Sequence, residues 1–296
     1  MDYVNPTNDL AFKKAFGSRE SVEVLRGFII DFFNIKPKTL VVSNPYDIKS
    51  YKERLESGED IMTLRATIAD VTADLDLGDY TSELQMRNDE FFTERSIYYP
   101  MLRYTGNYSV KPIDSSGRTR YQLLKPIYAM NILGYNHFNK DEDALRIFQL
   151  YDPVRKKLFS KNLVNFGYFE LLKPNVETNN QKDWQNFFMK RPLSATAPDY
   201  IRQASEIIGR ANMRKDEVEV MTQVEKMQWR MAGELEYATR KGLEQGLEQG
   251  REEGREEGKV MELERLQPIL FEKDSTIEKQ SKEIERLRRQ LATQSN

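Results

Sequence analysis

Residues 68–86 read IADVTADLDLGDYTSELQM. Apolar and polar letters alternate on both sides of Leu77 and Gly78, and period two is the signature of a strand. Residues 66–75 and 79–86 are therefore expected to pair as a hairpin turning at that glycine. Side chains two apart on a strand share a face, so Glu83 and Gln85 point one way while Ser82 and Leu84 point the other. A register that sets Asp70 across from them would bring two carboxylates and an amide to one point. Such an all-oxygen set suits a hard divalent cation such as Mg2+. On periodicity alone there is a plainer reading, in which Asp70, Asp74, Asp76 and Asp79 form a solvated hairpin rim.

Upstream of this stretch, Leu10, Phe12 and Phe16, then Val22, Leu25, Phe28, Ile29, Phe32 and Phe33, recur at helical spacing. Capping oxygens stand at Thr7, Asn8 and Asp9, and a break is expected at residues 17–19. Residues 51–63 are charged and weakly patterned and are expected to be an exposed stretch. Downstream, residues 89–108 carry aromatic residues at helical spacing and predict a helix. PIYAMNIL (126–133) is a continuous apolar run, as expected for a strand buried on both faces. Further strands are expected over 145–151 and 163–172, and a helix around 184–189. Helices, then a hairpin, then helix and strands give an α/β fold with a mixed central sheet flanked by helices.

The 296-residue chain is long enough to bury a sizeable core. Its 45 Lys and Arg are balanced by 47 Asp and Glu, so any nucleic-acid site must be a local patch. With no cysteine, thiolate zinc sites are excluded, and with a single histidine, His137, a His-based triad or His-rich metal cluster is nearly so, which leaves carboxylates and an oxygen-loving metal. His137 reads as structural. The opening MDYVNPTNDLAFKK has neither the charged nor the apolar block of a signal peptide. No run is apolar enough to span a membrane, so a cytoplasmic location is expected.

IADVTADLDLGDYTSELQM resembles the central motif of the PD-(D/E)XK nuclease-family transposases, also called recombination-promoting nucleases, in which an Asp on one strand is followed across a glycine turn by Glu-x-Gln. NDLAFKKAFG, FTERSIYYPMLRY, LLKPIYAMNIL, FGYFELLKP and DWQNFF resemble the family's other segments in the same order, over roughly the first 240 residues. The resemblance implies a restriction-endonuclease-like fold and a metal-dependent DNA endonuclease. Asp70, Glu83 and the Leu84 carbonyl would hold Mg2+ or Mn2+, and Gln85 would orient the attacking water. Gln85 stands where the wider superfamily has Lys, and an amide can orient water but brings no positive charge. Arg95, in the following helix, is the candidate for that charge; a surface or packing arginine is the competing reading. Asp9, or Asn8, is a candidate to approach the metal from the first helix, against a capping role.

DNA contact is expected from Lys13, Lys14, Arg87, Arg95, Arg103, Lys111, Arg118, Arg120 and Lys125. These neutralise phosphates without reading bases, so sequence specificity should be low. Tyr98, Tyr99, Tyr104 and Tyr108 are expected to pack in the core. A catalytically silent nuclease fold acting as an oligomeric DNA-binding or scaffold protein is the alternative. The domains are expected at 1–208 (nuclease), 209–258 (a helical extension with glycine at every fourth position from Gly242 to Gly258) and 259–296 (a coiled-coil tail). In that tail Leu263, Leu270, Ile277, Ile284 and Leu291 fall at heptad spacing and imply a homo-oligomer, while Pro268 should kink or restart the helix.

Overall fold

The computed structural model describes residues 3–58, 71–110, 120–138, 143–159 and 162–294. Its compact unit runs to Lys226. The expected hairpin is present as β2 (Val71–Leu75) and β3 (Asp79–Gln85), antiparallel, with Thr72 opposite Thr81 and Val71 opposite Ser82. PIYAMNIL supplies β4 (Ile127–Leu133), parallel to β3 on one side and to β8 (Val164–Glu170) on the other. Lying between two parallel neighbours explains its run of apolar residues, which only Asn131 interrupts. β1 (Leu40–Val42) and β5 (Leu145–Gln149) close the two edges, in the order β1-β2-β3-β4-β8-β5. β6 (Tyr151–Asp152) and β7 (Lys157–Leu158) form a separate small hairpin. The mixed six-stranded sheet flanked by helices is the α/β fold expected. β1 went unseen because three residues carry too little alternation to register.

The helices follow α1 (Asp9–Gly17), α2 (Val22–Phe33), α3 (Ile48–Glu56), α4 (Phe92–Val110), α5 (Asn179–Phe188), α6 (Asp199–Ile207) and α7 (Lys215–Gln294). The break between α1 and α2 falls at Ser18, followed by a turn of 3-10 helix. The stretch from residue 51 is largely exposed over its described residues, as expected, and to residue 56 it is helical; it is weakly patterned because of α3 only Ile48 joins the core among the residues whose side chains are described.

One face of the sheet carries the main core. Tyr80 and Leu84 of β3, Met130 and Ile132 of β4, and Phe169 of β8 pack with Leu10, Phe12 and Phe16 of α1, Leu25 and Phe28 of α2, and Trp184 and Phe188 of α5. Burying large aromatic side chains on this scale supplies most of the driving force for folding. Asp31 of α2 then fixes the helices against one another, accepting hydrogen bonds from Trp184 Nε1 (2.8 Å), Asn180 Nδ2 (2.8 Å) and Tyr200 OH (3.0 Å). The opposite face is covered by α4 over β3 and β4, with a smaller cluster of Phe92, Leu133 and Tyr168.

Of the acidic hairpin residues, Asp74 and Asp76 are exposed as a solvated rim expects, whereas Asp79 is not, and Asp70 lies outside the described residues. Asp76 Oδ1 accepts from the backbone amides of Lys38 and Thr39, which steers the chain into β1. Asp79 is buried, and Arg103 reaches Asp74 at 3.0 Å. In the second unit, from Met227, α7 runs through Pro268 without a restart, and Leu263, Leu270, Ile277 and Ile284 are exposed along it.

Gly78 is required by space. A Cβ there would stand 2.5 Å from the Pro126 carbonyl oxygen and 2.8 Å from the Tyr128 ring. A backbone oxygen cannot step aside as a side chain can, and overpacking of this kind costs about 1–3 kcal/mol. Gly78→Ala is therefore expected to lower the unfolding free energy by about that amount in urea denaturation. A change within roughly 0.5 kcal/mol, the size of a neutral surface substitution, would contradict this packing.

Candidate active site

Alternation along β3 sorts its residues. Tyr80 and Leu84 enter the main core, so Thr81, Glu83 and Gln85 face α4. The β3–β4 register continues this face across the sheet, with Glu83 beside Asn131 and Asn131 beside Tyr168. Above it, α4 begins after Asp89, whose Oδ1 accepts from the Phe91 amide and whose carbonyl accepts from the Phe92 amide. Buried Phe92 anchors that first turn. One turn on, Arg95 points back at the strand.

Arg95 is the hub of the site. Its Nη2 lies 2.8 Å from Glu83 Oε1 and 3.3 Å from Gln85 Oε1, and its Nη1 lies 2.9 Å from Asp89 Oδ2. Gln85 is held at its other end as well, since Nε2 donates to the Arg87 carbonyl at 2.7 Å. Three sequence candidates, Glu83, Gln85 and Arg95, are thus in direct contact. Asp89 was missed. Its position at the turn that opens α4 was the available signal, but a carboxylate there reads first as a cap. Asp70, the fourth candidate, lies outside the described residues, as do Lys111 and Arg118.

The Glu83 side chain is 19% exposed. Burial pushes its carboxyl above the ordinary carboxylate range; Arg95 offsets part of that rise, and the nearby charge of Asp89 adds to it. Oε2 of Glu83 accepts no hydrogen bond among the described residues. A hard cation takes such an oxygen, so the donor chemistry fits one metal position, although no three acidic or histidine side chains cluster among the described residues. Nearby, the Tyr135 hydroxyl is buried without a hydrogen-bond partner. Burial and then the charges of Asp89 and Glu83 raise its pKa. Between β3, β4 and α4 opens a cleft of about 340 Å3, lined by Glu83, Thr81, Asn131, Ser96, Tyr99 and Arg103 among others.

Several other candidates fall elsewhere. Asn8 caps α1, its Oδ1 accepting from the amides of Leu10 and Ala11, and Asp9 is buried in the first turn. His137 packs among Phe92, Phe138 and Tyr168, as its structural reading expects. Lys13 and Lys14 are corrected as phosphate contacts. Both are buried, and Lys14 pairs with Glu217 at 2.8 Å, because the lysines face α7 and the core. Tyr98 and Tyr99 are corrected as core residues. They are 59% and 50% exposed, because α4 meets the sheet through other positions, such as Phe92 and Ser96.

The rise in the Glu83 pKa carries a sign for stability. The folded protein holds that proton more tightly than the unfolded chain, so stability is lost as pH rises from the ordinary carboxylate value through the folded one. In metal-free buffer the melting temperature of Glu83→Gln relative to wild type should therefore climb across that pH interval and then level off. A difference that is flat, or that falls with pH, would contradict the burial of this carboxylate.

No curated protein and no solved structure matches the chain. The family described as "PD-(D/E)XK nuclease family transposase" matches residues 6–238, a span that holds the whole sheet, α4 and the Glu83 cluster. The chain belongs to the PD-(D/E)XK nuclease family transposases.

Proposed function

We propose that the protein is a metal-dependent DNA endonuclease of low sequence specificity whose strand cleavage promotes recombination or mobile-element activity. The observation that carries this reading is the contact of Glu83, Gln85 and Arg95, with Glu83 lining a cleft beside the hairpin. The second carboxylate is taken to be Asp70 on sequence spacing. It stands two residues before Thr72, which lines the cleft, and next to Val71, the partner of Ser82. Asp70, Glu83 and the Leu84 carbonyl would hold Mg2+ or Mn2+. When bound, such an ion neutralises charge on the phosphate and makes water more acidic.

The remaining work falls to side chains of this chain. Gln85 keeps a second lone pair on Oε1 with which to accept a hydrogen bond from the attacking water and so orient it. Arg95 supplies the positive charge that a lysine would bring at the Gln85 position, placed within reach of charge that grows on the phosphate oxygens. Asp89 and Gln85 hold the guanidinium in that position. The exposed heptad stripe of α7 supports self-association, most simply as a dimer, because an isolated helix would leave that stripe in water. Pairing two heads would allow cuts on opposite strands.

Plasmid nicking by the purified protein tests this reading. Cleavage should require Mg2+ or Mn2+ and should vanish in Asp70→Ala and Glu83→Ala. Gln85→Ala should lose two to three decades of rate, about 3 kcal/mol for one such polar group. Metal-dependent activity retained in either acid variant would overturn the site, and wild-type rates in Gln85→Ala would show its amide to be incidental. Light scattering tests the tail: the full chain should be dimeric and a version ending near Gly258 monomeric. Equal monomer masses would refute the coil.

A further inference from the structure

The cleft that Glu83 lines holds about 340 Å3, at the low end of the roughly 300–1,000 Å3 usual for ligand pockets. That is room for one nucleotide and too little for a duplex. A nucleotide that leaves the base stack would bring its phosphodiester to the carboxylate there.

The lining supplies what an unpaired base needs. Tyr99 lines the cleft with half of its surface in solvent, and the ring of Tyr98 meets it edge-on at 5.4 Å. Stacking on such a ring is indifferent to base identity, because every base has a π face. Asn131 is the one polar residue in the apolar run IYAMNIL and is only 3% exposed. Its Nδ2 donates to the Gly167 carbonyl at 3.1 Å, while its Oδ1 accepts nothing among the described residues. Arg103 holds Asp74 and Ser43 through Nη2, and its Nε is buried without a hydrogen-bond partner. Asn131 and Arg103 both belong to the cleft lining, where Asn131 Oδ1 is an acceptor and Arg103 brings positive charge.

We propose that this cleft takes a single unpaired nucleotide of DNA, its base stacked on Tyr99 and its polar edge met by Asn131 Oδ1. The protein then acts on single-stranded or locally melted DNA and not on a closed duplex. The inference rests on the nuclease reading of the Glu83 site and adds the form of its substrate.

Fluorescence anisotropy with a labelled 20-nucleotide strand, alone and annealed to its complement, tests it on the full-length protein in EDTA, where cleavage plays no part. The single strand should bind at least tenfold more tightly than the duplex. Tyr99→Ala should weaken single-strand binding roughly tenfold, the order of one lost base–aromatic stack, and Tyr99→Phe should restore it. Half of Tyr99 is in solvent, so the fold should tolerate both changes, and circular dichroism checks that it does. Equal affinity for the two forms, no binding of either, or a Tyr99→Ala protein that binds like wild type would overturn the inference. Plasmid nicking with the same preparation separates the two readings: nicking without a strand preference in binding overturns this inference and leaves the nuclease reading standing.

Discussion

Glu83 sits on a sheet face roofed by a helix, and a carboxylate in that position needs a cation. Arg95 provides it at 2.8 Å, and the rest of the site is arranged around this pair. β3 must alternate so that Tyr80 and Leu84 fill the main core while Glu83 faces the other way. α4 must start where it does, at the Asp89 turn with Phe92 buried, for the guanidinium to arrive over the strand one turn later. The central parallel strands then hold the face rigid, since β4 and β8 are paired along their whole length. A partly buried ion pair of this kind adds little net stability, because desolvation and solvent screening oppose the attraction. Its presence is better explained by chemistry than by folding, and the rise of the Glu83 pKa despite Arg95 points the same way.

Much of the fold was legible in the letters, for physical reasons. The hairpin could be read because one glycine separates two alternating runs, and β4 because a strand between parallel neighbours is predominantly apolar. Gly78 was read correctly as the turn, but its cause lies in the approach of the Pro126 carbonyl, which only the tertiary structure brings near. β1 and α3 were missed because one is too short and the other too exposed to impose a pattern. Lys13 and Lys14 misled because charge on a helix normally marks solvent, whereas Lys14 is turned inward to a glutamate some two hundred residues away in sequence. Tyr98 and Tyr99 misled in the opposite sense, since helical spacing of aromatics does not say which side of the helix the sheet occupies.

The site was legible in part. Glu83 and Gln85 share a face by strand periodicity alone, and Arg95 could be named as a neighbour from its place on the next helix. What the letters could not give is that one guanidinium links both of these residues to Asp89, because that depends on the angle at which α4 crosses β3. Membership in the PD-(D/E)XK nuclease family transposases is consistent with this cluster being the chemical centre.

The central claim is that Glu83, together with Asp70, binds a divalent cation that Arg95 alone does not replace. Manganese titration followed by electron paramagnetic resonance measures this directly, without reference to any activity. Wild-type protein should bind Mn2+ at a saturable site that Glu83→Gln and Asp70→Asn each weaken by an order of magnitude or more while the fold persists. Unchanged binding in either variant, or no saturable site in the wild type, would contradict the account.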